Sequence, residues 1–143
     1  MNLFRPVHYL SCSYPLLVTA HSEVFVYFWD LRNLSPGFPP TGMFIPEVRH
    51  PITALSTFSN GGGFITAHLR GRCLVTFLDQ NFVPMDKSHP AKKTFSFRTC
   101  QPPIELDSQK IHSVNGFISS KKLESFGCYG GAGIVRFYDR ELR

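Results

Sequence analysis

Three stretches of this chain repeat one another, and that limits the possible fold more than any other feature of the sequence. The first is Leu16-Leu17-Val18-Thr19-Ala20-His21 followed by Val24 to Asp30. The second is Gly63-Phe64-Ile65-Thr66-Ala67-His68 followed by Cys73 to Asp79. The third is Phe126-Gly127-Cys128-Tyr129-Gly130-Gly131 followed by Gly133 to Asp139. Each copy is a short apolar strand, a tight turn, and a second strand that ends on an aromatic residue or Leu and then Asp. The closing aspartates, at 30, 79 and 139, give periods of 49 and 60 residues. Such periods suit one four-stranded propeller blade with some lengthened loops.

Further strands complete the repeat. Residues Ile52 to Phe58 alternate with period two, as a strand buried on one face must. Val114 to Ser119 takes the same place in the third copy, and Val7 to Leu10 in the first. Outer strands are expected at Met43 to Ile45 and at Lys93 to Phe97, which sets Phe95 and Phe97 on one face. Ser35 to Gly42, Asn81 to Pro90 and Cys100 to Ser108 are the loops between them. The expected fold class is all-β, a β-propeller fragment of about three four-stranded blades with repeats at roughly 1–45, 46–98 and 99–143. A closed ring needs at least four blades, so the missing ones are expected from the rest of a longer chain.

Composition agrees. Of 143 residues, 14 are Phe, and the 11 Gly and 11 Pro are spread through the whole chain, which favours short strands joined by turns. The formal charge of +5 points to an acidic partner or a nucleic-acid backbone. Cys12, Cys73, Cys100 and Cys128 lie far apart with no Cys-x-x-Cys pair, so reduced, mostly buried thiols of an intracellular protein are expected, and no metal site. No signal peptide is visible, and the apolar run around Val24 to Trp29 is far too short for a membrane span.

The dipeptide Trp29-Asp30 inside the repeat resembles the signature of the WD-repeat family. The order of further motifs resembles the later blades of one branch, the mRNA-export WD-repeat propellers. The carrying residues are Ser13-Tyr14-Pro15-Leu16, Gly71-Arg72 opening a strand, and Pro90-Ala91-Lys92 running into Phe95-Ser96-Phe97-Arg98. After a variable loop come Ile111-His112-Ser113-Val114-Asn115-Gly116 and the ending Phe137-Tyr138-Asp139-Arg140. The chain departs from the family at Thr99-Cys100-Gln101, where Cys-His-Arg is usual, at Tyr138, where Trp is usual, and at Gly130-Gly131. The resemblance implies a scaffold at the nuclear pore or nuclear envelope, also cytoplasmic, that grips a GLEBS-type nucleoporin peptide and aids mRNA export. The spindle-checkpoint sibling family, whose propellers bind kinetochore peptides, shares the Phe-x-Phe-basic element and is the alternative.

By that resemblance the partner-binding residues are Arg72, Phe97, Arg98, Tyr138, Asp139, Arg140 and Arg143. Their chemistry is suitable: guanidinium forks pair with carboxylates and phosphates, and exposed aromatics anchor or stack. Each also has a plainer reading, as solvated arginines, as inter-blade packing for Phe97 and Tyr138, and as a turn cap for Asp139. RNA contact through basic spots such as Lys92-Lys93, Lys121-Lys122, Arg140 and Arg143 would read phosphates with little base preference. His21 and His68 follow Thr-Ala at matching places and suit a buried hydrogen-bond network. Asn60-Gly61-Gly62-Gly63 precedes a strand and lacks a following Lys-Ser/Thr, so it is a turn and not a phosphate loop. With no nucleophile beside a base, no paired carboxylates and no ligand cluster, neither an enzyme nor a cofactor is expected.

Overall fold

The computed structural model describes residues 5–35, 37–85, 94–99, 112–120, 122 and 125–139. Arg140 and Arg143, the Pro90 to Lys93 element, Cys100 and the loop that follows it lie outside the described residues. The chain is all-β, built from three antiparallel sheets of consecutive strands. The first sheet runs β1 (Val7–Ser13), β2 (Leu16–His21), β3 (Val26–Asp30) and β4 (Gly42–Phe44). The second runs β5 (Ile52–Thr57), β6 (Gly63–His68), β7 (Arg72–Phe77) and β8 (Phe95–Arg98). The third has three strands among the described residues, β9 (Val114–Ser119), β10 (Ser125–Gly130) and β11 (Val135–Asp139).

The first strands of the three sheets pack in series, β1 on β5 and β5 on β9. This is the arrangement of three successive propeller blades, each with its first strand innermost. Hydroxyl side chains fasten those inner strands. The Thr57 amide donates to Ser11 Oγ at 2.9 Å, Thr57 Oγ1 donates to Ser13 Oγ at 2.9 Å, and Ser119 Oγ donates to the Thr57 carbonyl at 3.2 Å.

Period-two alternation sorts the side chains into two seams. In blade 1, Leu16, Val18, Ala20, Val26 and Phe28 face blade 2 and pack with Ile52, Phe64 and Leu78. In blade 2, Ile65, Ala67, Cys73 and Val75 face blade 3 and pack with Val114, Phe126 and Cys128. Full burial of each large apolar side chain contributes about 1.5–3 kcal/mol, so the seams hold the blades together.

Strand pairing corrects the alignment made on sequence. Val7, Ile52 and Val114 pair with His21, His68 and Gly130, so Gly130 and not Gly131 stands at the histidine position of blade 3. Pairing of Ala20 with Val26, Ala67 with Cys73 and Tyr129 with Val135 makes Phe77 the equivalent of Asp30 and Asp139. Asp79 lies two residues further on, in a turn. There its Oδ1 accepts from the amides of Asn81 (2.9 Å) and Val83 (2.7 Å), much as Asp30 Oδ1 accepts from the amide of Arg32 (3.0 Å). Both aspartates cap turns, which is why they look alike in sequence.

Both histidines sit in the seams or their continuation, each as part of a repeated network. His21 Nδ1 lies 3.2 Å from the Arg5 carbonyl, and His68 Nδ1 lies 2.8 Å from that of His50. A carbonyl only accepts, so Nδ1 carries the proton and Nε2 accepts from Thr19 Oγ1 (2.8 Å) or Thr66 Oγ1 (3.0 Å). Burial is the first cause that pushes the His68 ring below its ordinary pKa, partly offset by the His50 carbonyl. Cys73 and Cys128 are buried as expected, whereas Cys12 is exposed.

Candidate functional site

The candidate site is a positively charged groove on the end of blade 2. The turn between β6 and β7 bends through two successive left-handed residues, Arg70 (φ 73°) and Gly71 (φ 67°). Gly71 has no room for a side chain, because a Cβ there would meet the carbonyl oxygens of His112 at 2.7 Å and Thr99 at 2.9 Å. Its own carbonyl accepts from the Thr99 amide at 2.9 Å, which ties the turn to the residue that follows β8. The turn therefore stands in a fixed place and projects Arg70 and Arg72.

The β7–β8 register pairs Arg72 directly with Arg98. Like charges opposite one another in a ladder destabilise it, so this pairing is an unfavourable arrangement kept at a sheet end. The Arg72 Nη1 donates to Ser96 Oγ at 3.1 Å, which orients the guanidinium along the strand. Arg49 and His50 arrive from the segment before β5. Together with Glu47, Val48 and Arg70, Arg72 and Arg98, they line an open groove of 310 Å³. Four guanidinium groups thus face one carboxylate. Among the described residues, Arg49, Arg70 and Arg98 have no side-chain hydrogen bond or ion pair. A fork-shaped, exposed cationic cluster of this sort suits carboxylates or phosphates, several at once.

Of the residues expected from sequence, the groove gathers Arg72 and Arg98 among the described residues, and it adds Arg49 and Arg70. Phe97 and Tyr138 lie in the seam between blades 2 and 3, with ring centroids 4.9 Å apart, and both pack near Phe126. The Tyr138 hydroxyl is 2.7 Å from Thr99 Oγ1, so its polar tip is satisfied inside the seam. Both rings pack between blades, as their plainer reading has it. Asp139 pairs with Ser125 at the far end of β11 from the arginines. Arg49 and Arg70 were legible only with the topology in hand: in a meander blade, the residues before the first strand and those of the second turn share one end.

A second groove, of 490 Å³, lies at the opposite end between blades 1 and 2 and is lined by Asp30, Arg32, Phe38 and Phe82 among others. Its charges already satisfy each other. Arg32 Nε and Nη2 donate to the Asp30 carboxylate at 2.8 and 2.7 Å, which holds that carboxyl below the usual carboxylate range. The Arg32 guanidinium also stacks 5.2 Å over Phe82. With Asp30 and Arg32 paired to each other, this groove offers less to an ionic ligand. Among the described residues there is no cluster of three or more His, Cys, Asp or Glu that could hold a metal, and no helix long and apolar enough to cross a membrane.

No protein-family model matches the chain. Over 144 aligned residues it is 26% identical to the poly(A)+ RNA export protein of Schizosaccharomyces pombe, with 99% of this chain and 37% of that protein covered. The chain thus spans little more than a third of that relative's length. The crystal structure of Chaetomium thermophilum Raptor superimposes with a TM-score of 0.67 at 13% identity, over 100% of this chain and 12% of that one. At that identity the likeness speaks for the fold alone.

Proposed function

We propose that the chain is a non-catalytic interaction module of mRNA export, in which the blade 2 groove takes up an acidic nucleoporin segment of the GLEBS type. The observation that carries this reading is the cluster of Arg49, Arg70, Arg72 and Arg98 around one opening. The similarity to a poly(A)+ RNA export protein supports the cellular role. The repeated Thr-Ala-His and Trp29-Asp30 features support WD-repeat character for the blades. In this reading the β-frame does no chemistry. It fixes the backbone positions from which four arginines reach one opening, so an extended acidic segment meets several positive charges at once. Long-range attraction between the chain, formally +5, and such a segment speeds encounter and weakens with salt. RNA phosphates are a secondary ligand of the same charge pattern, bound without base preference. A place at the nuclear pore follows from the nucleoporin partner.

The test is recovery of partners from nuclear extract on the immobilised chain and on its Arg72→Glu/Arg98→Glu variant. A GLEBS-containing nucleoporin retained by the first and lost by the second is the expected result. Recovery of kinetochore proteins instead moves the chain to the spindle-checkpoint reading. Equal recovery on both proteins removes the groove from the account.

A further inference from the structure

Inside the groove, two of the four arginines form a subsite of their own. Arg72 and Arg98 are direct partners in the β7–β8 ladder, so their side chains leave the same face of the sheet from Cβ atoms about 5 Å apart. Ser96, two residues before Arg98, stands on that face as well, and its Oγ accepts from Arg72 Nη1 at 3.1 Å. Leu74, the ladder partner of Ser96, is 2% exposed and closes the inner side of the set. Arg98 is exposed, and among the described residues its guanidinium has no side-chain hydrogen bond or ion pair.

Both walls of the groove are tied to blade 2. The lead-in to β5 is held at the His50 carbonyl, which accepts from His68 Nδ1 at 2.8 Å, and at the Pro51 carbonyl, which accepts from the Leu69 amide at 2.9 Å. The other wall is the Arg70-Gly71 turn, whose Gly71 carbonyl accepts from the Thr99 amide at 2.9 Å. The subsite is thus built from blade 2 and the segment that enters it, whatever flanks blades 1 and 3.

The pairing selects among anions by charge. Two guanidinium groups side by side carry two positive charges, and the ladder bears their repulsion. A carboxylate or an RNA phosphodiester brings one negative charge and neutralises half of that. A phosphate monoester brings about −1.5 to −2 charges at pH 7 and three free oxygens, enough to accept from both forks and from the Ser96 hydroxyl. We infer that the Arg72/Arg98 pair takes a phosphate monoester, a phosphorylated side chain carried by the acidic segment that the groove takes up. This rests on the groove reading proposed above and adds a control to it: phosphorylation of the partner tightens docking.

The measurement is fluorescence anisotropy of a labelled acidic GLEBS-type peptide, and of a set in which each Glu in turn is phosphoserine, titrated with the chain. One member of the set is expected to bind at least about tenfold tighter than the parent, through added charge-assisted hydrogen bonds. Arg98→Gln is expected to cut that ratio to below about threefold, and it leaves the fold intact because it removes a like-charge pair. Arg49→Gln, in the same groove but outside the ladder pair, is expected to weaken parent and phosphopeptide alike and to keep the ratio. An oligoribonucleotide without terminal phosphates is expected to displace the phosphopeptide at least about tenfold less well than unlabelled phosphopeptide does. Equal binding of the parent and every phosphopeptide overturns the inference and leaves the groove reading standing, whereas no binding by any of them overturns both. Binding of phosphopeptide alone supports the subsite and removes the unphosphorylated segment as a ligand. A ratio that survives Arg98→Gln overturns the inference, and so does equal displacement by the oligoribonucleotide, which would give the pair to RNA.

Discussion

Blades 1 and 2 share a frame and differ at one end. Each sets four residues between its histidine and the first residue of the third-strand core, His21 to Val26 and His68 to Cys73. Each donates from a histidine Nδ1 to the carbonyl two residues ahead of its first strand. Yet where blade 2 has Arg72 and Arg98, the same register places Phe25 and Ile45 in blade 1. What repeats, then, is what packs: the seam residues, the inner-strand hydroxyls and the Thr-His pairs. What does not repeat is a cationic cluster that contributes no packing and pairs like charges. A residue pattern that breaks a repeat at a cost to stability marks a site under a different demand.

The contrast can be broken first at its largest effect. Phe64 is fully buried in the seam between blades 1 and 2, so Phe64→Ala is expected to lower unfolding free energy by about 3–5 kcal/mol. Arg98→Ala, exposed at the groove, is expected to change it by no more than about 0.5 kcal/mol. Chemical denaturation of both variants checks this pair, and comparable losses would erase the distinction between frame and site.

A second prediction sharpens the frame. The ordinary histidine pKa is near 6.5, and burial lowers that of His68 in the folded chain. As pH falls through that value, the unfolded chain takes up a proton before the folded one does. Stability is therefore complete above about pH 6.5, declines below it, and levels off below the folded pKa. His68→Gln is expected to flatten this decline in a series of thermal melts. An unchanged slope would mean that other groups set the acid sensitivity.

A further effect has the opposite sign. Thr76 Oγ1 is buried with no hydrogen-bond partner among the described residues. Thr76→Val keeps the shape and removes the unsatisfied hydroxyl, so a gain of about 1 kcal/mol is expected by denaturation. A loss would show that the hydroxyl has a partner, and the seam would be wetter than described.

Much of the frame was legible in the sequence because period-two apolar strands and Gly turns leave a direct imprint. Strands at Ile52 and Val114 begin at the expected residues, those at Val7 and Met43 are displaced by one to three at one end or the other, and the strand expected from Lys93, itself outside the described residues, ends one residue later at Arg98. Register was less legible. Asp79 aligned with Asp30 because both are turn-capping aspartates, although the strand before Asp79 ends two residues earlier. Side-chain chemistry and ladder position are separate signals, and only pairing fixes the second. The groove was half legible. Arg72 and Arg98 stand beside recognisable strand ends, while Arg49 and Arg70 join them only once the second turn and the lead-in to β5 are known to share an end. Phe97 and Tyr138 resemble binding residues in sequence because aromatics serve both interfaces and cores. The partner of each ring decides which, and here each partners the other across a seam.

The central claim is that the blade 2 groove recognises acidic segments. Fluorescence anisotropy of a labelled acidic GLEBS-type peptide, titrated with the chain at low and at physiological salt, tests it most directly. Saturable binding is expected that weakens as salt rises, falls at least about tenfold in Arg72→Glu/Arg98→Glu, and vanishes when the peptide's acidic residues are replaced by their amides. Binding that is indifferent to both the salt and the double substitution would contradict it.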